Sequence, residues 1–268
     1  MSLSKSADVM ARFLALKPAH VEAHCKTSQE LMAWQQEEGK KAAKRVTDLN
    51  RMARLERVLG RSGIQPLHQD CGFRNYVAES VEQQQALAMA EAFYRNFGQN
   101  FSQNIGQNVG QNVAQNSGKT HGGFVFSGHV GTGKNHLATA IVRNLIKDNK
   151  VAAIITVAEL CQKFRASFDK NSPVKEATLL KDLCQLDLLV LDEVGVQKSS
   201  HNEFEVNLLS QIIDRRQLQL KPTGMLTNLN YDQLLGLLGE RIMDRQVNGG
   251  LWIPFTWQSY RSRKGGRA

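Results

Sequence analysis

Gly128-His-Val-Gly-Thr-Gly-Lys-Asn135 is the stretch that most narrows what this chain can become. An apolar run, Gly123-Phe-Val-Phe-Ser127, leads into it, and His136-Leu-Ala-Thr-Ala-Ile-Val-Arg-Asn-Leu-Ile146 leads out with helical spacing. Strand, glycine-rich turn and helix form the context in which the pattern G-x-x-x-x-G-K-[ST] cradles phosphate oxygens. Gly128, Gly131 and Gly133 permit positive φ, so that backbone N–H groups can close around an anion. Lys134 adds a point charge at the β- and γ-phosphates, and the helix N-terminus points at the same place. The nucleotide-binding set is therefore Gly128, Gly131, Thr132, Gly133, Lys134, Asn135 and His136. One fixed position departs from the pattern: Asn135 stands where a metal-binding hydroxyl is usual.

A second half-site follows about fifty residues later. Leu188-Leu-Val-Leu-Asp192-Glu193 reads as a buried strand whose carboxyl end delivers two acids beside the phosphate loop. Asp192, together with Asn135, is the candidate ligand for Mg²⁺, and Glu193 the group that polarises the attacking water for in-line transfer from ATP. Met225-Leu-Thr-Asn228 repeats the pattern of an apolar run ending in a polar side chain. Asn228 can orient the attacking water or sense the γ-phosphate; it can also simply cap a strand.

From Gly122 onward strands and helices alternate. Strands are expected at 124–127, 151–157, 186–192, 224–227 and 251–255, with helices over 134–148, 158–168, 175–184, 202–219 and around 232–246. The fold class is therefore α/β, a parallel five-stranded sheet covered by helices on both faces. Little chain remains after the last strand, so no C-terminal lid is expected. Residues 1–75 differ. A helix capped by Thr27 or Ser28 starts an apolar stripe at Leu31 and Trp34 and continues it through Ala42, Val46 and Leu49 toward Leu59. Lys40, Lys41, Lys44, Arg45, Arg51, Arg54, Arg57 and Arg61 lie between, against only Asp48 and Glu56. Such a narrow seam is expected to pack on another helix, in this chain or in a partner. Residues 60–76 are rich in turn formers and read as a linker, a helix is expected from Glu79 to about Phe97, and residues 98–118 repeat Gln-Asn every four residues, the mark of an inserted low-complexity loop.

The formal net charge of +9 suits a polyanion or an acidic protein surface. Lys163, Phe164, Arg165 and Phe168, with Phe204 as a second element, mix charge and aromatic rings in the manner of a single-strand platform, although such phenylalanines are as often core. The tail 262–268 is basic. Four scattered cysteines lack metal or disulfide spacing, no secretory h-region opens the chain, and the longest apolar run, Val151–Ile155, is far too short to span a bilayer. The expectation is a soluble cytoplasmic protein without a membrane partner.

Several segments together carry a family resemblance: Arg61-Ser-Gly-Ile-Gln-Pro-Leu-His68, Gly-Lys-Asn-His-Leu-Ala at 133–138, Asp187-Leu-Leu-Val-Leu-Asp-Glu193, Asp214-Arg-Arg216, Pro222-Thr-Gly-Met-Leu-Thr-Asn228, Leu238-Gly-Glu-Arg-Ile-Met-Asp-Arg245 and Trp257-Gln-Ser-Tyr-Arg261. In these the chain resembles the DnaC-type bacterial helicase loaders, a branch of the AAA+ ATPases, in which the asparagine at position 135 looks usual. The resemblance implies an AAA+ core over 76–261 behind a helical domain, 1–75, that docks on the hexameric replicative helicase. It also implies a grip on single-stranded DNA, self-assembly into an ATP-dependent spiral, and ATP hydrolysis that is weak until assembly. Arg245 would be the finger that reaches a neighbour's ATP, with Arg241 the alternative, and Arg261 the arginine that senses nucleotide in its own subunit. Two other readings are a transposition helper ATPase, which shares the core, and a non-hydrolysing ATP-binding adaptor, which Asn135 keeps open.

Overall fold

The computed structural model describes residues 28–59, 63–97, 122–196, 202–247 and 250–260. Thr27, the Gln-Asn tract 98–118, Arg261 and the basic tail 262–268 lie outside the described residues. By internal contacts the chain divides into two units, Met1–Asn50 and Arg51–Ala268.

Helix α1 spans Ser28–Leu59. Lys41 pairs with Glu38 one turn back, and the Thr47 hydroxyl donates to the Ala43 carbonyl. The apolar stripe expected along it is exposed at Trp34 (45%), Val46 (58%) and Leu49 (68%).

The larger unit is built on five strands: β1 (Phe124–Gly128), β2 (Ala152–Thr156), β3 (Leu188–Val194), β4 (Thr223–Thr227) and β5 (Leu251–Phe255). All pair in parallel, in the order β2-β3-β4-β1-β5. Alternate side chains enter two separate cores, as the period of two requires. Phe124, Phe126, Leu188, Val190, Ile154 and Phe255 face α2 (Val81–Arg95) and α3 (Lys134–Lys147). Val125, Leu189, Leu191, Ile155 and Met225 face the other side. That side is covered by α4 (Val157–Ser167), α5 (Glu176–Gln185), α6 (Asn202–Leu218), α7 (Tyr231–Leu238) and α8 (Glu240–Val247). The helix expected near 79–97 starts where Ser80 and Gln83 exchange side-chain and backbone hydrogen bonds, a reciprocal cap.

Two features depart from the sequence expectation. Residues 63–76, read as a linker, form two short 3₁₀ turns at Pro66–His68 and Phe73–Asn75 that pack on the core. Arg143 of α3 donates to the Cys71 carbonyl (2.8 Å), and Ile64, Phe73 and Tyr76 join the apolar cluster beneath. Turn-forming residues announce a bend; they carry no information about what the bend lies against. The second feature is in β3. Its register against β4 shifts between Leu191 and Val194, a bulge in which Asp192 and Glu193 stand where one residue would. Glu193 takes φ 59°, a left-handed conformation that a side chain normally avoids.

Among the described residues, Arg216 is the largest fully buried side chain. Its guanidinium donates to the Leu183 and Leu186 carbonyls at the end of α5, to the Pro222 carbonyl and to Thr223 Oγ1, over 2.5–3.0 Å. Burial pushes its pKa down to about 10. It ties the ends of α5 and α6 to the start of β4.

Candidate nucleotide site

Where the strands end at their carboxyl side, a cleft of about 860 Å³ opens over the β1–α3 turn. Gly128, Gly131 and Gly133 have φ 145°, 79° and 95°, so the positive angles expected of the loop are present. At Gly133 the requirement is double, because a Cβ there would also stand 2.7 Å from the Tyr76 ring. The loop is fastened from two directions. Trp257 Nε1 donates to the Thr132 carbonyl (2.8 Å) and the Tyr260 N–H to that of Gly131 (2.9 Å), both from the segment after β5. From the other side the Tyr76 hydroxyl reaches the Thr132 carbonyl at 3.5 Å. Thr132 itself is buried, its hydroxyl donating to the His129 carbonyl.

Lys134 is buried, only 9% exposed, and its ammonium donates to the Gly128 and His129 carbonyls (2.6 and 2.7 Å) and to Asn228 Oδ1 (2.9 Å). Burial brings its pKa down to about 8, against an opposing pull from Asp192. Asn228 is therefore in touch with the phosphate-loop lysine, at the exposed end of β4. Thr227 just before it donates to the Val194 carbonyl, which holds β4 to the strand bearing the acids.

Asp192 sits deep in the cleft. Burial raises its carboxyl to about 6, helped by the Glu193 charge and opposed by the Glu193 N–H on Oδ1, by Lys134 and by the Asn135 amide. Asn135 contacts it through Nδ2, while Asn135 Oδ1 accepts from Thr139 (3.1 Å). The amide expected to offer oxygen to a metal thus turns its nitrogen to Asp192, because a carboxylate accepts only. Turned over, the same amide would present oxygen beside a carboxylate, a hard oxygen pair that fits Mg²⁺ completed by phosphate and water. The bulge sends Glu193 to the exposed rim, one residue beyond Asp192.

His136, counted with the nucleotide-binding residues, spends its ring elsewhere: Nε2 lies 2.9 Å from the Gly72 carbonyl and 3.1 Å from Asn75 Oδ1, with Tyr76 edge-on to the imidazole at 5.4 Å. It anchors residues 72–76 to the first turn of α3. Tyr76, Trp257 and Tyr260 escaped the sequence reading as contributors to this site. No local signal marks an aromatic residue as a brace for a loop far away in the chain.

The remaining candidates are away from the cleft. Arg241 donates to Asp214 Oδ2 (2.7 Å) and Arg245 contacts Asp214 Oδ1, so one carboxylate of α6 receives both arginines of α8. Arg165, Phe168 and Phe204 come together. The Arg165 guanidinium lies over the Phe204 ring at 5.1 Å, and Phe168, 55% exposed, meets Phe204 edge-on at 6.1 Å. Lys163 pairs with Glu159 at 3.2 Å, and Phe164 is a core residue at 1% exposure, which removes it from the exposed set.

A parallel sheet between two helical layers, with a phosphate loop after β1 and acids at the end of β3, defines an AAA+ P-loop ATP-binding protein. A family model described as IstB-like ATP binding protein matches residues 81–268. The replicative helicase loader DnaC of Escherichia coli (strain K12) is 41% identical over 261 residues, covering 97% of this chain and 97% of its own length. YdaV of the same strain is 42% identical over 255 residues, 95% of this chain and 93% of its own. The crystal structure of the DnaC helicase loader superposes with a TM-score of 0.57 at 21% identity, covering 71% of this chain and 99% of that one. The chain belongs to the family of DnaC-type replicative helicase loaders. No helix among the described residues is long and apolar enough to cross a membrane.

Proposed function

We propose that this protein loads the hexameric replicative helicase onto single-stranded DNA and is released by ATP hydrolysis. The observation that carries the reading is the meeting, in one cleft, of the phosphate loop, Asp192 and Glu193, in a chain matched over 97% of its length by a helicase loader. That match includes residues before 81, which the IstB-like model leaves out; the loader reading therefore stands ahead of a transposition helper.

In this scheme ATP is the substrate. Its phosphates replace the Gly128 and His129 carbonyls and Asn228 as partners of Lys134. Asp192 and the turned-over amide of Asn135 would hold Mg²⁺, which would supply charge neutralisation at the phosphates. Glu193, on the rim of the bulge, accepts a proton from the attacking water, and Asn228 orients that water or reads the γ-phosphate. Arg245 of a neighbouring subunit, with Arg241 beside it, completes the site, so hydrolysis waits for spiral assembly. Arg261 would report on nucleotide within its own subunit. Arg165, Phe168 and Phe204 offer one ring face and one charge to a DNA strand, with Lys163 alongside. The exposed Trp34, Val46 and Leu49 of α1 form the helicase-docking stripe; the docking region expected over 1–75 is narrowed accordingly, because residues 63–76 pack on the core of the larger unit.

The test is co-elution of the full chain with the replicative helicase in ATP. Wild type should co-elute, and Val46→Glu with Leu49→Glu should not, although it still binds ATP. Co-elution of the double variant at wild-type level would sink the docking surface. Failure of the wild type to co-elute, with ATP turnover intact, would sink the loader reading and favour the transposition helper; silence even when assembled would favour the adaptor.

A further inference from the structure

Asp214 is drawn into no step above, yet it is the point on which the two candidate trans-acting arginines converge. Arg241 and Arg245 are one turn apart on α8 and so share a face. Asp214 lies on α6 with its side chain 20% exposed, and each of its oxygens takes one arginine: Oδ2 that of Arg241, Oδ1 that of Arg245. Two cations thus share one carboxylate. The burial is graded. Arg245 is 27% exposed and Arg241 69% exposed. A guanidinium carries five N–H donors in a rigid fork, so an arginine held along one edge keeps the other edge for a second anion.

We propose that Asp214 is a positioning residue for the arginine that acts on the neighbouring subunit's ATP: its carboxylate fixes the Arg245 fork before assembly, with Arg241 as the outer arm. This rests on the reading of Arg245 as the finger. A long side chain free to rotate meets a γ-phosphate in the wrong geometry most of the time, and small misplacements at a reacting centre are costly in rate. A carboxylate beneath the fork removes that freedom in advance. Because Asp214 belongs to the finger-donating subunit, its effect must appear in the hydrolysis of ATP held by another chain.

Mixed assemblies of the full chain with helicase and single-stranded DNA test this directly. Subunits with Lys134→Ala cannot bind ATP but donate a finger; subunits with Arg245→Ala bind ATP but donate none. Their mixture should hydrolyse ATP where neither variant does alone. Adding Asp214→Asn to the Lys134→Ala donor should lower the mixed rate roughly 10- to 100-fold with co-assembly unchanged, and Asp214→Glu in its place should recover part of the rate. If the first mixture co-assembles yet is silent, the finger assignment fails. If that mixture is active and Asp214→Asn leaves its rate unchanged, the positioning proposal fails while the finger stands; a higher rate also overturns it, since Asp214 would then restrain the arginine. If Asp214→Asn and Asp214→Glu donors both fail to co-assemble, Asp214 is a structural clamp, and the proposal is again overturned.

Discussion

Replacing Glu193 by glycine should remove hydrolysis and stabilise the fold at the same time. Glu193 has φ 59° within the β3 bulge, and its side chain is exposed, so the substitution loses little packing. A non-glycine residue in the left-handed region costs about 1–2 kcal/mol, which glycine does not incur. Glycine in turn gives the unfolded chain extra freedom, a loss of about 0.5–1 kcal/mol. The net gain is about 0.5–1 kcal/mol, a rise in Tm of roughly 1–4 °C for a domain of this size. Removing the Glu193 charge also relieves Asp192, so the comparison needs Glu193→Gln, which discharges the site and keeps the strained backbone. Thermal unfolding of both variants, without nucleotide, separates the two effects, and both should lower assembly-stimulated ATP hydrolysis by about 10²- to 10⁴-fold. If Glu193→Gly proves no more stable than Glu193→Gln, the bulge stores no strain and the reasoning fails.

Burial holds the Asp192 proton up to about 6 in the folded chain, against 3.8 for an ordinary carboxyl. The folded state binds that proton more tightly, so the stability it confers is complete below about pH 4 and lost as pH rises through 6. Asp192→Asn should remove this slope, at most about 1.4 kcal/mol per pH unit, and urea unfolding at pH 4.5 and 7.5 should show the variant gaining on wild type at the higher pH; equal differences at both would refute it. Arg216→Lys leaves an ammonium facing four acceptors set for a planar fork, and should cost about 2–4 kcal/mol in urea unfolding. Phe168→Ala should weaken single-stranded DNA binding by about 1–3 kcal/mol without changing nucleotide affinity; fluorescence anisotropy with labelled oligonucleotide and labelled ATP measures both.

The sequence by itself determined the parts whose physics is local. Helical and strand periods, the glycines of the phosphate loop and the apolar run ending in Asp192-Glu193 are written within a few residues of each other, because backbone sterics and side-chain alternation act at that range. From these, the three-layer α/β fold and most of the nucleotide cleft were legible. Only the tertiary structure decided which distant groups meet. The loop 63–76 looked like a connector until His136 and Arg143 were seen to hold it against α3. Asn135 turned its amide nitrogen toward Asp192, since that carboxylate accepts and cannot donate. The bulge that sets Glu193 on the rim arises from register between β3 and β4, two strands about thirty residues apart. The resemblance pointed to Arg245 or Arg241 as a finger, but only the packing of α8 on α6 brought Asp214 against both. Hydrogen bonds and ion pairs are satisfied by whatever the fold brings near, and a chain carries no local mark of a partner that it meets only after folding.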